Sequence, residues 1–176
     1  MQYTYAYRSP LGGITIASDG ENLTGLWFEG QRYFGDTLCA EHCERMLPVF
    51  VQTIEWLDCY FGGGKPDFMP SLNPAGTPFR RTVWKALLQI PYGETVSYGE
   101  LAAEIARQRG AGGSARAVGG AVGRNPVSVI IPCHRVVGSG GSLTGYAGGL
   151  TRKTALLTLE GIDTSRFFVP KHGTAL

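Results

Sequence analysis

The chain has 176 residues, of which 43% are hydrophobic and 17% are charged, so it is long enough for one or two domains with a hydrophobic core. No apolar run approaches the roughly 18 residues of a membrane-spanning helix, and the first residues lack the basic and apolar regions of a secretory signal. We therefore expect a cytoplasmic protein whose four cysteines are reduced thiols rather than a disulfide framework.

The net charge of +2 hides opposite charges in the two halves of the chain. Residues 1–76 contain four basic and nine acidic side chains, whereas residues 77–176 contain twelve basic and five acidic ones. A polyanion would therefore bind the C-terminal half. A chance drift of surface charge would produce the same asymmetry, so the motifs have to decide between the two interpretations.

The N-terminal half has the pattern of an antiparallel sheet followed by a helix. Segments rich in β-forming residues are separated by short turn sequences and predict strands over residues 3–7, 13–17 and 23–28. Apolar residues at helical spacing predict a helix over residues 47–61, which the following run of three glycines ends. This combination predicts a small α/β domain.

A change in composition marks the predicted boundary between two domains. Four prolines and several turn signals fall between residues 66 and 78, which is typical of a linker. We place this linker at about 66–77, at the end of an N-terminal α/β domain over residues 1–76. A C-terminal domain then occupies residues 77–176.

The C-terminal half begins with three predicted helices. Thr77 followed by Pro78 predicts the N-terminus of the first. The other two are predicted over residues 97–105 and 114–122, each capped by a serine, and a glycine-rich turn over 110–113 joins them. This arrangement is typical of a helix-turn-helix motif, although many other small helical pairs share it.

The third predicted helix and the residue after it contain glycines at 119, 120 and 123, and each glycine within a helix costs about 1 kcal/mol of stability relative to alanine. A helix with so many glycines either packs closely against another helix or comes very close to a bound partner. The spacing does not distinguish these alternatives. Arg116 would project from the same helix.

Residues 131–137, IPCHRVV, place a thiol beside an imidazole. The β-branched run over residues 127–131 predicts a buried strand that delivers Cys133 at its end. Cys133 is then a candidate nucleophile, and His134 can take its proton through a water, because adjacent side chains on an extended segment point apart. A cysteine hydrolase would use the same pair, but nothing else in the chain indicates an oxyanion hole.

A series of short motifs follows in one order along the C-terminal half: PF at 78–79, VW at 83–84, IPYGE at 90–94, SYGELA at 97–102, RAVGG at 116–120, NP at 125–126, IPCHRVV at 131–137, GYAGG at 145–149 and LEG at 159–161. Over residues 79–161 the chain resembles the O6-alkylguanine-DNA alkyltransferases (methylated-DNA–protein-cysteine methyltransferases). The N-terminal half resembles them only loosely, through its strand-rich opening and the turn at residues 9–12.

The resemblance implies a fold and an activity. The fold is an N-terminal α/β domain of ribonuclease-H-like topology, with an antiparallel sheet and a helix, followed by a mainly α winged-helix domain with a helix-turn-helix. The activity is a suicide DNA-repair reaction: O6-alkylguanine is flipped out of duplex DNA, and its alkyl group moves irreversibly and stoichiometrically to Cys133. The resemblance implies no cofactor and no metal; we expect a monomer whose partner is double-stranded DNA carrying O6-alkylguanine, with no membrane association.

The resemblance also assigns catalytic roles. Cys133 is the nucleophile, His134 takes its proton, and Glu160 orients the imidazole and stabilises the imidazolium. Tyr98 donates to the guanine ring nitrogen N3, because guanine leaves poorly as an anion. Asn125 is structural support for the turn before the nucleophile. The alternatives are a structural histidine and a tyrosine packed under the second helix.

For DNA binding, the resemblance makes Arg116 the side chain that fills the gap left by the flipped base. The small residues around it let the helix approach the minor groove, and contacts from the basic half to phosphates make binding largely independent of sequence. The residues predicted to bind DNA are Arg116, Ala117, Gly119, Gly120, Arg124 and Arg135.

The pocket for the flipped base is also implied by the resemblance. Its predicted residues are Val136, Tyr146, Ala147 and Gly148. The backbone carbonyls of Cys133 and Val136 would read the exocyclic amine, and the backbone N–H of Ala147 would read O6. The small residues at positions 147–149 and over 138–144 lead to the hypothesis that the pocket has room for groups larger than methyl.

Two other interpretations rank lower. Relatives that bind alkylated DNA without reacting lack the cysteine, which is present here as Cys133. Cys39, His42 and Cys43 could place three metal ligands near one helical face, with Cys59 available as a fourth. We favour ordinary thiols over a metal site.

Overall fold

The computed structural model describes residues 1–110 and 113–170. The chain divides into two compact units. The first comprises Met1–Ala75 and the short segment Pro126–Ser128, and the second contains the rest of the described chain. Part of the turn predicted over 110–113 lies outside the described residues, at positions 111 and 112.

The first unit is built on a four-stranded sheet in the order β3-β2-β1-β4. The three predicted strands are confirmed as β1 (Gln2–Ser9), β2 (Gly12–Ser18) and β3 (Leu23–Phe28), which pair antiparallel. A fourth strand, β4 (His42–Glu44), pairs parallel to β1 and makes the sheet mixed. Its three residues are exposed and give no alternating pattern, so the sequence offered no signal for it.

The core of the first unit lies between this sheet and α1 (Pro48–Phe61). Pro48 occupies the first turn, where its missing N–H costs nothing, and the helix ends at Gly62, as predicted. Every residue of β3 is buried, as are Phe50, Leu57 and Tyr60 on α1. Each such side chain contributes about 1.5–3 kcal/mol on burial.

The segment Pro126–Ser128 belongs to the first unit because its backbone pairs with β3. Leu26 N donates to Pro126 O at 2.8 Å, and Ser128 N donates to Leu26 O at 2.9 Å. The sequence pattern predicts these residues in the C-terminal domain, with a strand over 127–131. The structure has instead an isolated bridge at Val127, followed by turns.

The second unit is mainly helical. Its elements are α2 (Pro78–Leu87), α3 (Tyr98–Arg109), α4 (Ala115–Gly123), α5 (Leu150–Leu159) and two parallel two-residue strands, β5 (Val96–Ser97) and β6 (Val136–Val137). The predicted N-caps are confirmed: Thr77, Ser97 and Ser114 each accept a hydrogen bond from a backbone N–H of the first turn.

Trp84 connects α2 to α4, because its buried Nε1 donates to Ala121 O at 2.9 Å. This bond places the exposed side of α4 away from the core of the unit, with Val118, Ala121 and Val122 buried beneath it. No helix in the described ranges combines the length and the apolar character that crossing a membrane requires.

Candidate active site

Cys133 lies on a single turn of 3-10 helix, Cys133–Arg135, that follows Pro132. The preceding run is buried but not extended, and Val129 has φ 69°, in the left-handed region. A β-branched residue adopts this conformation at a cost of about 1–3 kcal/mol and keeps it only where the surroundings fix it. The predicted strand was wrong because a short buried apolar run has no periodicity that identifies it as a strand.

Cys133 is 5% exposed, and hydrogen-bond donors surround its thiol. Asn125 Nδ2 donates to Sγ at 3.1 Å and to Ile131 O at 2.8 Å, and the backbone N–H groups of Cys133 and His134 also favour the thiolate. Burial nevertheless raises the pKa of Cys133 above its usual value. The resting group is therefore a neutral thiol, with donors in place to stabilise the thiolate once the proton leaves.

His134 and Glu160 form a fully buried pair, with His134 Nε2 2.6 Å from Glu160 Oε1. Burial lowers the pKa of His134 below its usual value, although the Glu160 carboxylate opposes this effect. The neutral ring then donates its Nε2 proton to Glu160, and its lone pair lies on Nδ1. Nδ1 is thus the nitrogen that can accept a proton.

Arg135 completes this buried network. Its Nε donates to Glu160 Oε2 at 2.8 Å, and its Nη1 donates to Ile90 O at 2.7 Å. Burial alone would raise the pKa of Glu160, but the hydrogen bonds and charges of His134 and Arg135 outweigh it and lower the pKa to about 2. Gly93 N donates to the same carboxylate at 3.1 Å.

The burial of Arg135 corrects one predicted DNA contact. The side chain is 8% exposed and compensates the charge of Glu160, which a buried carboxylate requires. We therefore remove Arg135 from the DNA-binding set and assign it to the support of the active site.

Tyr98 lies at the start of α3, and its hydroxyl donates to Thr144 O at 3.2 Å. Burial, helped by the charge of Cys133 as a thiolate, raises the pKa of Tyr98 to about 12. The phenol is therefore protonated near neutral pH and can donate a hydrogen bond. Gly145 has φ 69°, and a Cβ there would lie 2.8 Å from the Tyr98 hydroxyl, so only glycine fits beside this group.

Two of the predicted pocket residues adjoin the catalytic turn, Val136 through its N–H to Cys133 O and Tyr146 through its ring. Tyr146 is buried and its ring contacts His134 edge to face, with centroids 6.4 Å apart. Within the described part of the chain, the Tyr146 hydroxyl has no hydrogen-bond partner. Ala147 and Gly148 are half-buried, and a Cβ on Gly148 would lie 2.5 Å from the Tyr146 ring. Gly148 is therefore required for the position of Tyr146.

The predicted DNA-binding residues on α4 lie on its exposed side. Arg116, Ala117 and Gly120 are exposed, and Gly119 and Arg124 are half-buried. A Cβ on Gly119 would make an ordinary contact with Tyr98, and a Cβ on Gly120 or Gly123 would meet nothing within 4 Å.

Packing inside the described protein therefore does not require the glycines of α4. The alternative in which this helix comes close to a bound partner is favoured.

Comparison with known proteins gives the family. The model of the 6-O-methylguanine DNA methyltransferase DNA-binding domain matches residues 78–162, and the model of the ribonuclease-like domain matches residues 1–73. The methylated-DNA–protein-cysteine methyltransferase of Mycobacterium tuberculosis (strain ATCC 25618 / H37Rv) is 48% identical over 152 residues, covering 86% of this chain and 88% of the relative. This chain belongs to the 6-O-methylguanine DNA methyltransferase family.

Other members of the family are similar to this chain in sequence and in structure. The methylated-DNA–protein-cysteine methyltransferase of Haemophilus influenzae is 45% identical over 163 residues, covering 92% of this chain and 87% of the relative. The crystal structure of the M. tuberculosis O6-methylguanine methyltransferase has a TM-score of 0.77 at 45% identity and covers 98% of this chain and 97% of its own. A structure of M. tuberculosis OGT in complex with DNA has a TM-score of 0.77 at 46% identity and covers 94% of both chains. The predicted family and two-part fold are confirmed.

Lys153 is a residue of this methyltransferase site that the sequence analysis missed. It lies on α5 and is fully buried, and its Nζ donates to Val136 O at 2.5 Å and to Thr144 O at 2.8 Å. Burial lowers the pKa of Lys153 to about 8, and the Cys133 thiolate opposes this effect. A signal was available, because Lys153 occupies the apolar face of α5 together with Leu156 and Leu157.

The cysteines outside the site are exposed, at positions 39, 43 and 59. His42 Nδ1 lies 2.8 Å from Cys39 O. Across the described ranges, no three His, Cys, Asp or Glu side chains are grouped so that they could hold a metal ion. This family member gives no geometric support to the zinc interpretation of Cys39, His42 and Cys43.

Proposed function

We propose that this protein repairs double-stranded DNA by moving the alkyl group of O6-alkylguanine to Sγ of Cys133, once per molecule. The observation that carries the proposal is a buried thiol with Asn125 Nδ2 at 3.1 Å, next to a histidine that is bonded to a buried carboxylate. In the reaction a bond forms between Sγ and the alkyl carbon, and the bond from that carbon to O6 breaks. The electron pair stays on guanine, which takes up one proton and balances the one lost by the thiol.

Each buried group has a separate role in this reaction. His134 accepts the thiol proton as the sulfur attacks, and Glu160 stabilises the imidazolium that results. Asn125 and the positive charge of Lys153 stabilise the thiolate, as fixed dipoles and charges do in a buried site of low dielectric constant. Tyr98, whose phenol keeps its proton, donates to the departing base. Tyr146, Ala147, Gly148 and the backbone of Val136 form the pocket for that base.

The exposed side of α4 supplies the DNA contacts in this proposal. Arg116 fills the gap left by the flipped nucleotide, and Ala117, Gly119 and Gly120 let the helix approach the groove closely. Arg124, the C-cap residue of α4, contacts phosphate in this proposal. The structure of the relative in complex with DNA supports DNA as the partner. A cytoplasmic location is part of the proposal, since the exposed thiols suit a reducing compartment.

The proposal is tested by intact mass and peptide mapping after incubation with a duplex containing one O6-methylguanine. We expect a single methyl group on the Cys133 peptide, with the reaction stopping at one methyl per protein molecule. Cys133→Ser is the control and should bind the duplex without gaining mass. Tight binding of the wild type to the lesion duplex with no mass change would instead identify a damage-recognition protein, and repeated turnover would indicate a hydrolase.

Arg116→Ala is expected to slow methyl transfer from duplex DNA by about 10-fold, because extruding a base costs a few kcal/mol that an inserted side chain offsets. Transfer from free O6-methylguanine base should be unchanged, since no stack has to open. Single-turnover rates on both substrates measure this. Arg107→Ala is the matched control, because Arg107 is an exposed arginine of α3 that pairs with Glu104. Equal slowing on both substrates would contradict the assigned role.

A further inference from the structure

The chain between α4 and Cys133 contains three residues that pack with the N-terminal sheet. Between the end of α4 and Cys133, the segment Pro126–Ser128 is buried and belongs to the unit formed by the N-terminal sheet. Two backbone hydrogen bonds with Leu26, at 2.8 and 2.9 Å, attach it to β3. Backbone hydrogen bonds with β3 therefore hold these three residues in place.

A buried side-chain pair strengthens this attachment. Ser128 Oγ donates to Gln31 Oε1 at 3.2 Å, and the two residues are 2% and 6% exposed. Phe28 N donates to the same oxygen at 2.8 Å, and Gln31 Nε2 donates to Arg32 O at 3.4 Å. The Gln31 amide is thus oriented by the turn after β3, so Ser128 bonds to an acceptor that is already fixed.

The residues on either side of this segment are connected by hydrogen bonds within the second unit. Asn125 Nδ2 donates to Ile131 O and to Cys133 Sγ, so the residues before and after the attached segment are joined through one side chain. Val129 follows Ser128 directly and has the left-handed φ of 69°. A β-branched residue keeps that conformation only while its neighbours hold it. The attachment of Ser128 and the contact of Asn125 with the sulfur are therefore two constraints on one short loop.

We propose that Gln31 and Ser128 are positioning residues for alkyl transfer: they hold the loop before Cys133 so that Asn125 keeps its bond to the sulfur. This inference rests on the proposed function for its rate prediction. When the hydroxyl of Ser128 is removed, Val129 can relax towards an ordinary conformation, and the thiolate loses part of its stabilisation.

The test compares Ser128→Ala with the wild type. We expect methyl transfer at saturating lesion duplex to slow by about 5- to 10-fold, the usual range for losing one bond of roughly 1 kcal/mol, with unchanged DNA affinity. Alkylation of Cys133 by iodoacetamide, followed against pH, should shift to higher pH. Thr53→Val is the matched control, because Thr53 is a buried residue of the first unit whose hydroxyl donates to Val49 O at 2.7 Å. It should lose similar stability with neither a slower rate nor a shifted pH profile.

A double-mutant cycle tests whether Gln31 and Ser128 act through their mutual hydrogen bond. In a Gln31→Met background, Ser128→Ala should have almost no further effect, because the acceptor is already gone. Independent effects of the two changes, or a pH profile for Ser128→Ala identical to the wild type, would overturn the inference. The iodoacetamide profile needs no DNA, so it decides the positioning role even where the wild type fails to take a methyl group from the lesion.

Discussion

Replacing Glu160 by glutamine is expected to slow methyl transfer by about 100-fold and to destabilise the protein by about 3–5 kcal/mol. The rate falls because the imidazolium of His134 forms next to this carboxylate, 2.6 Å from Nε2, and a neutral amide cannot compensate its charge. Loss of the carboxylate also lowers the pKa of His134 further, since Glu160 is the group that opposes the effect of burial. The imidazole then becomes a weaker base for the thiol proton.

The stability loss has a separate cause. Arg135 is buried, and its guanidinium donates to both oxygens of Glu160, so removal of the carboxylate leaves a buried cation without its counter-charge. Removing one partner of a buried pair costs more than the pair contributes, because the other partner stays desolvated. Gly93 N would lose its acceptor as well.

The pH dependence of this loss follows from the sign of the pKa shift. The pKa of Glu160 is about 2 in the folded protein and near 4.5 in the unfolded chain. Between these values the unfolded chain binds more protons, so the contribution of Glu160 is complete above about pH 4.5 and disappears as the pH falls towards 2. The difference in unfolding free energy between wild type and Glu160→Gln should shrink in the same window.

Single-turnover kinetics and urea unfolding from pH 2 to pH 8 measure both effects. Asp163→Asn is the matched control, because Asp163 lies three residues further on and its carboxylate accepts only from Ser165 among the contacts in the described chain. A transfer rate for Glu160→Gln within about 3-fold of the wild type would contradict the role of Glu160 in stabilising the imidazolium, since general acid–base catalysis contributes at least about 100-fold.

Features with a local physical cause could be predicted from the sequence. Each helix cap depends on one side chain and a backbone N–H three residues away, so Thr77, Ser97 and Ser114 were sufficient to place the starts of α2, α3 and α4. The residues of the active-site motif come next to each other in the chain, and the structure brings His134 and Glu160 together as expected.

Features that depend on distant partners could not be predicted. Val129, with its left-handed φ, directly follows a segment in which Pro126 O accepts from Leu26 N and Ser128 N donates to Leu26 O, roughly 100 positions earlier in the chain. Arg135 in a basic segment suits a DNA surface as well as a buried ion pair, and only the position of Glu160 decides between them. Sequence patterns record which residues are apolar or charged, whereas these outcomes depend on which groups meet.

Lys153→Met is expected to slow methyl transfer by about 10- to 100-fold while changing the free energy of unfolding by no more than about 2 kcal/mol. Two effects on stability oppose each other. The variant leaves Val136 O without its Nζ donor, which costs about 1–3 kcal/mol. It also removes a buried ammonium group whose pKa of about 8, against a usual 10.5, corresponds to roughly 3 kcal/mol of unfavourable burial.

The rate of methyl transfer, in contrast, is lowered by both consequences of the substitution. The charge of Lys153 and the Cys133 thiolate stabilise each other, so the thiol becomes harder to ionise in the variant. The same Nζ holds Val136 O and Thr144 O, and Thr144 O also accepts from Tyr98, so the proton donor of the departing base loses part of its support. We therefore expect the activity of this variant to fall much more than its stability.

Urea unfolding, single-turnover transfer and the pH profile of Cys133 alkylation separate these effects. Lys85→Met, at an exposed position of α2, controls for the loss of one positive charge from the DNA-binding unit. Between about pH 8 and 10.5 the unfolded chain keeps the Lys153 proton that the folded protein has released, so the wild type should gain stability relative to Lys153→Met as the pH rises. A loss of stability that matches the loss of rate, without a shift in the alkylation profile, would show that Lys153 only holds the fold together.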